Sequence, residues 1–116
     1  MSSLQTVTVE DFSREVLFSA VPVVVDVYAD WCGPCRALAP VLDRLAAHYS
    51  GRVRFVKVNA DEEQDLVSYY RVEGLPTLLL FRDGQLVDRV VGLADMRAIA
   101  AKIETLTATT TAVHSQ

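Results

Sequence analysis

Val23-Val24-Val25-Asp26-Val27-Tyr28-Ala29-Asp30-Trp31-Cys32-Gly33-Pro34-Cys35 is the stretch on which the fold turns. Val23 to Tyr28 is apolar at every position but one. Such a run suits a central strand covered on both faces, because neither side need meet water. Pro22 ends whatever helix comes before it. Downstream, Leu38, Val41, Leu42, Leu45, Ala46 and Tyr49 recur at i, i+3, i+4, i+7, i+8 and i+11, a single helical stripe. Pro40 interrupts that helix, and Ser50-Gly51 closes it. A buried strand therefore hands over to a long amphipathic helix, and two cysteines lie at the junction.

The remaining elements follow from the same signals. Thr6–Val9 reads as a short strand, and Thr8 with Asp11 resembles a capping box before Phe12, Val16 and Leu17 at helical spacing. Val53–Val58 reads as a second buried strand. Asp61 with Gln64 resembles another capping box, ahead of a short helix whose inner face is Leu66, Val67 and Tyr70. Thr77–Phe81 and Leu86–Val91 flank Asp83-Gly84, a strong hairpin signal since both turn positions tolerate positive φ. Met96, Ile99, Ala100, Ile103 and Leu106 line one face of a last helix. Thr107 to Gln116 is Thr- and Ala-rich without periodicity and is expected to be a frayed, flexible tail. The order β-α-β-α-β-α-β-β-α implies an α/β fold: a parallel sheet with helices on both faces and an antiparallel hairpin at one edge. Residues 1–106 form one domain, and 107–116 the tail.

The chain of 116 residues is half apolar and 22% charged, enough for a packed core without staples. Its net charge of −4, with both signs interspersed, argues against a nucleic-acid partner. The start carries no positive region followed by an apolar stretch, and no apolar run is long enough to span a bilayer. A cytoplasmic protein without membrane attachment is the expectation.

Cys32 and Cys35 are the only cysteines. A bond across so small a loop stabilises by only about 2 kcal/mol. Structural zinc needs four ligands, and His48 and His114 are the only histidines, so no metal is expected. Redox chemistry is the reading left. Cys32 sits where unpaired helix N–H groups and the positive end of the dipole favour a thiolate, the attacking form of cysteine. Cys35, three residues on, shares its helix face and can attack Cys32 in turn. Gly33 lets a substrate backbone approach, and Pro34 suits the first helical turn.

Asp26 is the exception in its strand. Burial disfavours its charge and raises its pKa, and Lys57 is the one cation in the stretch Phe55-Val56-Lys57-Val58. Asp26 either fixes packing as part of a buried ion pair or takes the proton from Cys35, through water. Pro76, in Gly74-Leu75-Pro76-Thr77, either starts a strand or, with a cis bond, turns the backbone toward the thiols; residue type alone favours trans. Tyr28 is read as core, and Trp31 as a surface shield for the nucleophile.

Asp26, Trp31-Cys32-Gly33-Pro34-Cys35, Pro40, Lys57, Gly74, Pro76-Thr77, Gly84 and Gly92 together resemble the thioredoxin family, in order from about Thr6 to Leu106. The resemblance implies a thioredoxin fold, a central mixed sheet flanked by four helices. It implies a protein-disulfide reductase and electron donor, with Cys32 as nucleophile, Cys35 as resolving thiol and a redox disulfide between them. It also implies a cis Pro76, and Asp26 with Lys57 as the proton-transfer pair. Trp31, Gly33, Pro34, Gly74, Leu75, Pro76, Gly92 and Leu93 would form the docking surface for extended segments of disulfide-containing proteins. The dithiol would be restored by a thioredoxin reductase, usually an NADPH-dependent flavoenzyme. The domain would need no cofactor and act as a monomer. Gly33-Pro34 resembles the reducing members, since oxidant relatives commonly carry a histidine there. Arg36, Tyr28 and Glu73 depart from the usual residues, Glu73 by setting a negative charge beside the docking surface. Two alternatives stay open: a dedicated or oxidising partner, separated by reduction potential, and a binding scaffold, whose function would survive loss of either cysteine.

Overall fold

The computed structural model describes residues 1–114, with side chains as far as residue 108. Five strands form one mixed sheet in the order β1-β3-β2-β4-β5. They are β1 (Gln5–Thr6), β2 (Val23–Tyr28), β3 (Arg54–Asn59), β4 (Thr77–Arg82) and β5 (Gln85–Val91). β1 and β2 run parallel to β3, whereas β4 runs antiparallel to both β2 and β5. Every residue of β2 is buried, as its uninterrupted apolar sequence requires.

The helices are α1 (Gly33–His48), α2 (Gln64–Tyr69) and α3 (Met96–His114). The fourth helix expected, after Phe12, is five residues wound as a π-helix, Ser13–Leu17, closed by Phe18 N–H donating to the Ser13 carbonyl at 2.9 Å. Half of the capping box at Thr8 forms: the Asp11 carboxylate accepts from Thr8 N–H at 2.7 Å. β1 is shorter than the four residues expected, although Val7 N–H still donates to the Lys57 carbonyl at 2.8 Å.

Strand alternation divides the core into two layers. On one face Val24, Phe55, Leu78 and Leu80 meet Leu38 and Leu42 of α1 and Ile99 and Ile103 of α3. On the other, Val25, Val27, Val56 and Val58 pack with Phe12, Val16 and Phe81, and α2 adds Leu66 and Val67 at the margin. The far end of α1 is pinned to α3 by the Tyr49 hydroxyl, which donates to Glu104 Oε2 at 2.6 Å. Burial pushes that phenol up to about 12.

The backbone of α3 continues through residues 107–114, within the segment expected to fray. Periodicity reports a buried stripe, and the helix backbone runs on past Leu106, where that stripe stops. No Gly or Pro stands between Met96 and His114 to stop the turn. Ser115 and Gln116 of that expected tail lie outside the described residues.

The hairpin between β4 and β5 turns through Asp83 at φ 53° and Gly84 at φ 78°, as the Asp-Gly pair predicts. A Cβ on Gly84 would lie 3.0 Å from the Leu17 carbonyl oxygen. Gly84→Ala therefore meets both a left-handed backbone and a backbone neighbour, and is expected to lower stability by about 1–2 kcal/mol, measured by urea denaturation.

Candidate active site

The head of α1 is built around one sulfur. Cys32 is its N-cap, with extended backbone at φ −86° and ψ 110°. Its Sγ accepts a hydrogen bond from Cys35 N–H at 3.2 Å, and its carbonyl accepts from Arg36 N–H at 3.2 Å. The sulfur thus does the work that Ser or Asp oxygens do at ordinary helix starts. Pro34 stands in the first turn, where a missing N–H costs nothing. Cys32 and Cys35 are joined as a disulfide, with Cα atoms 5.2 Å apart. Cys35 is 1% exposed and Cys32 4%, both packed with Tyr28, Ala29 and Leu75.

Tyr28 is buried, as read, and Trp31 is 69% exposed. The Trp31 indole is not loose: its Nε1–H donates to Asp61 Oδ2 at 2.9 Å. Asp61 was expected to cap α2. The cap residue is Glu63, and Asp61 serves α2 only by its carbonyl, which accepts from Gln64 Nε2 at 3.2 Å. Between Trp31 and Leu75 lies a groove of about 400 Å³ walled by Ala60, Val67 and Val72, with Asp61 and Glu73 at its rim. The sequence reading missed Asp61 and Ala60 here, because a residue that closes a groove from another loop leaves no periodic signal. It also missed Val91, 63% exposed alongside Leu93 at 59%.

The Leu75–Pro76 bond is cis, against the preference of the dipeptide alone. The loop is tied down on both sides: Thr77 Oγ1 donates to the Gly74 carbonyl, and Gly92 N–H donates to the Pro76 carbonyl at 2.8 Å. Among the described residues, neither the amide nor the carbonyl of Leu75 takes part in a backbone hydrogen bond. Gly33 and Pro34 are exposed on the other side of the sulfurs. Arg36 folds back, its Nη1 donating to the Asp30 carbonyl at 2.7 Å.

Asp26 is 3% exposed, on the sheet face that α1 covers. Its Oδ1 is buried without a hydrogen-bond partner among the described residues. Desolvation pushes its carboxyl up to about 7, against a smaller downward pull from the Lys57 charge. Lys57 is its registered neighbour on β3, yet no ion pair within 4.0 Å joins the two among the described residues. Instead Lys57 Nζ donates to the Ser2 carbonyl at 2.7 Å and lies 5.5 Å from the Tyr28 ring centre.

The thioredoxin family model matches residues 3–105. The chain is 47% identical to thioredoxin 1 of Synechococcus elongatus over 104 residues, covering 90% of this chain and 97% of that protein. It is 46% identical to thioredoxin 1 of a Nostoc species over the same length and shares. With the thioredoxin of Pseudomonas aeruginosa it is 44% identical over 98 residues, 84% of this chain and 91% of the other. The chain belongs to the thioredoxin family. The resemblance read from the motif order therefore holds, and so does the fold it implied. As a member, the chain is a thiol–disulfide oxidoreductase that reduces protein disulfides by dithiol–disulfide exchange, with disulfide substrates and a thioredoxin reductase as its general partners.

The raised Asp26 carboxyl has a thermodynamic consequence. The folded chain holds this proton more tightly than the unfolded chain does, so the stability linked to it is complete below about pH 4 and is lost as pH rises through about 7. Asp26→Asn is expected to be more stable than the parent at about pH 8, by roughly 2–4 kcal/mol, and no more stable at about pH 4. Urea midpoints at the two pH values measure this.

Proposed function

We propose that Cys32 is the attacking thiol, Cys35 the resolving thiol and Asp26 the group that takes the Cys35 proton. The observation that carries this assignment is the hydrogen bond from Cys35 N–H to Cys32 Sγ at the helix head. A donor aimed at that sulfur, together with the positive end of α1, stabilises negative charge on Cys32.

In the reduced domain the Cys32 thiolate attacks one sulfur of a substrate disulfide. A Cys32–substrate bond forms, and the other substrate sulfur leaves as a thiolate and takes a proton from water. Cys35, deprotonated by Asp26, then attacks Cys32 Sγ. The Cys32–Cys35 bond closes, the second substrate sulfur leaves as a thiolate that takes a proton from water, and Asp26 returns its proton to solvent. The substrate gains two electrons and two protons, and the domain ends as the disulfide. Asp26 suits its part because a carboxyl near 7 accepts a proton readily at neutral pH, and Lys57 sets how readily.

Substrate segments lie extended against Leu75, whose backbone N–H and C=O have no backbone partner among the described residues, in the manner of an added strand. Trp31, Gly33, Pro34, Gly74, Pro76, Gly92 and Leu93 complete the docking surface. The oxidised pair is returned to dithiol by an NADPH-dependent flavoenzyme reductase. The chain acts as a cytoplasmic monomer without a cofactor of its own. Among the described residues no helix is long and apolar enough to cross a membrane. Residues 1–106 are the domain that exchange requires, and 107–116 are an appendage.

Three variants test the assignment. Cys32→Ser abolishes reduction of a disulfide-bonded protein and forms no adduct. Cys35→Ser traps the substrate as a stable mixed disulfide on Cys32, seen as a mass increase reversed by a small-molecule thiol. Adducts on Cys35 in the Cys32→Ser protein would reverse the roles. Removal of residues 107–116 is expected to leave the reduction rate within about twofold of the full chain, surface changes away from a site being near neutral.

A further inference from the structure

The N-terminal residues are unusually well anchored for a segment that precedes the first strand. Ser2 is 5% exposed. Ser3 holds one carboxylate oxygen of α1 twice, through its N–H to Asp43 Oδ1 at 2.9 Å and through its hydroxyl at 3.2 Å. Leu4 packs against the core layer beneath α1 and α3. Two residues later β1 joins β3 with Thr6 opposite Lys57. The segment therefore crosses between α1 and β3 and brings the Ser2 carbonyl to Lys57 Nζ.

That contact decides where a buried charge goes. Asp26 and Lys57 face the same layer from adjacent parallel strands, and opposite charges so placed would ordinarily pair. The ammonium is occupied instead by the Ser2 carbonyl and by the face of Tyr28. Among the described residues, Lys57 is the cation whose charge acts on Asp26. Tyr28 stands two residues along β2, and the register partner on β4 is Leu78.

We propose that Ser2 and Ser3 form a clip that positions Lys57 for proton transfer, holding its ammonium on a backbone carbonyl and away from the Asp26 carboxylate. Ser2 and Ser3 touch no reacting atom; they act through Lys57. The clip rests on the assignment of Asp26 as the proton acceptor for its purpose, though not for its existence. With Lys57 drawn onto Asp26, the carboxylate would stay ionised but would be a weaker base. With Lys57 absent, the carboxyl would lose a charge that favours its ionised form. The clip fixes a separation between these extremes.

The test follows the Asp26 carboxyl carbon by NMR titration, a readout independent of exchange. Removing residues 1–3 frees Lys57 to turn to Asp26, and the Asp26 midpoint is expected to fall by about one pH unit, as a carboxylate does when a cation closes on it. Ser3→Ala combined with Asp43→Ala loosens the clip without shortening the chain and is expected to act in the same direction, less strongly. In a Lys57→Met background both changes are expected to leave the midpoint where Lys57→Met alone puts it. A fall of equal size in that background would mean that water entry is the cause and would overturn the proposal, as would no fall in either background. The pH dependence of disulfide reduction separates the two readings. If the Asp26 midpoint moves and the kinetic profile does not, the clip stands and Asp26 is not the base.

Discussion

A single N–H group aimed at a single sulfur organises this molecule. Cys35 N–H can reach Cys32 Sγ only if α1 begins at Gly33, and that start has to be fixed against fraying, the usual fate of helix ends. The fixing comes from elsewhere. β2 is buried along its whole length between β3 and β4, so the end of the strand has no freedom to slide. The apolar stripe of α1 presses on the same sheet, and Tyr49 fastens its other end to α3. A slip of one residue would turn every side chain of β2 to the other face, and the sulfur would lose its donor.

Asp26 shows what the site costs the fold. Every other residue of β2 contributes apolar burial, whereas this one places a carboxyl with an unpartnered oxygen in the core. A valine there would extend the pattern set by its neighbours. The sequence is thus locally inconsistent at one position, and such positions are where function tends to lie. The same burial that weakens the fold at higher pH lifts the carboxyl to about 7, the range that the proposed proton transfer from Cys35 calls for. Stability and chemistry are drawn from one desolvation.

Much of this was legible in the residues, for identifiable reasons. β2, α1 and the hairpin carry strong signals: an unbroken apolar run, a long stripe, an Asp-Gly turn. Asp26 stood out because it broke the run. What sequence could not give was contact between segments distant along the chain. Lys57 was read as the partner of Asp26, and the register agrees, but the ammonium lies on Ser2, 55 residues away. Asp61 was read for local capping, and its carboxylate turned to Trp31, 30 residues away. The backbone of α3 runs past Leu106, where the apolar stripe that marks a helix in sequence stops. The cis bond before Pro76 runs against local preference and became legible only through resemblance.

The two borders of the sheet bear on how the molecule meets other chains. At one side β1 offers two residues of backbone, too short a template for a foreign strand. At the other, β5 lies beyond an irregularity between Leu80 and Phe81, and Asp88 is engaged by Lys102 of α3 at 3.0 Å. Bulges and charges of this kind discourage edge-to-edge growth. The Leu75 peptide, which has no backbone partner among the described residues, lies away from both borders, packed beside the sulfurs. The open edges of the sheet and the surroundings of the redox pair are thus kept apart in space.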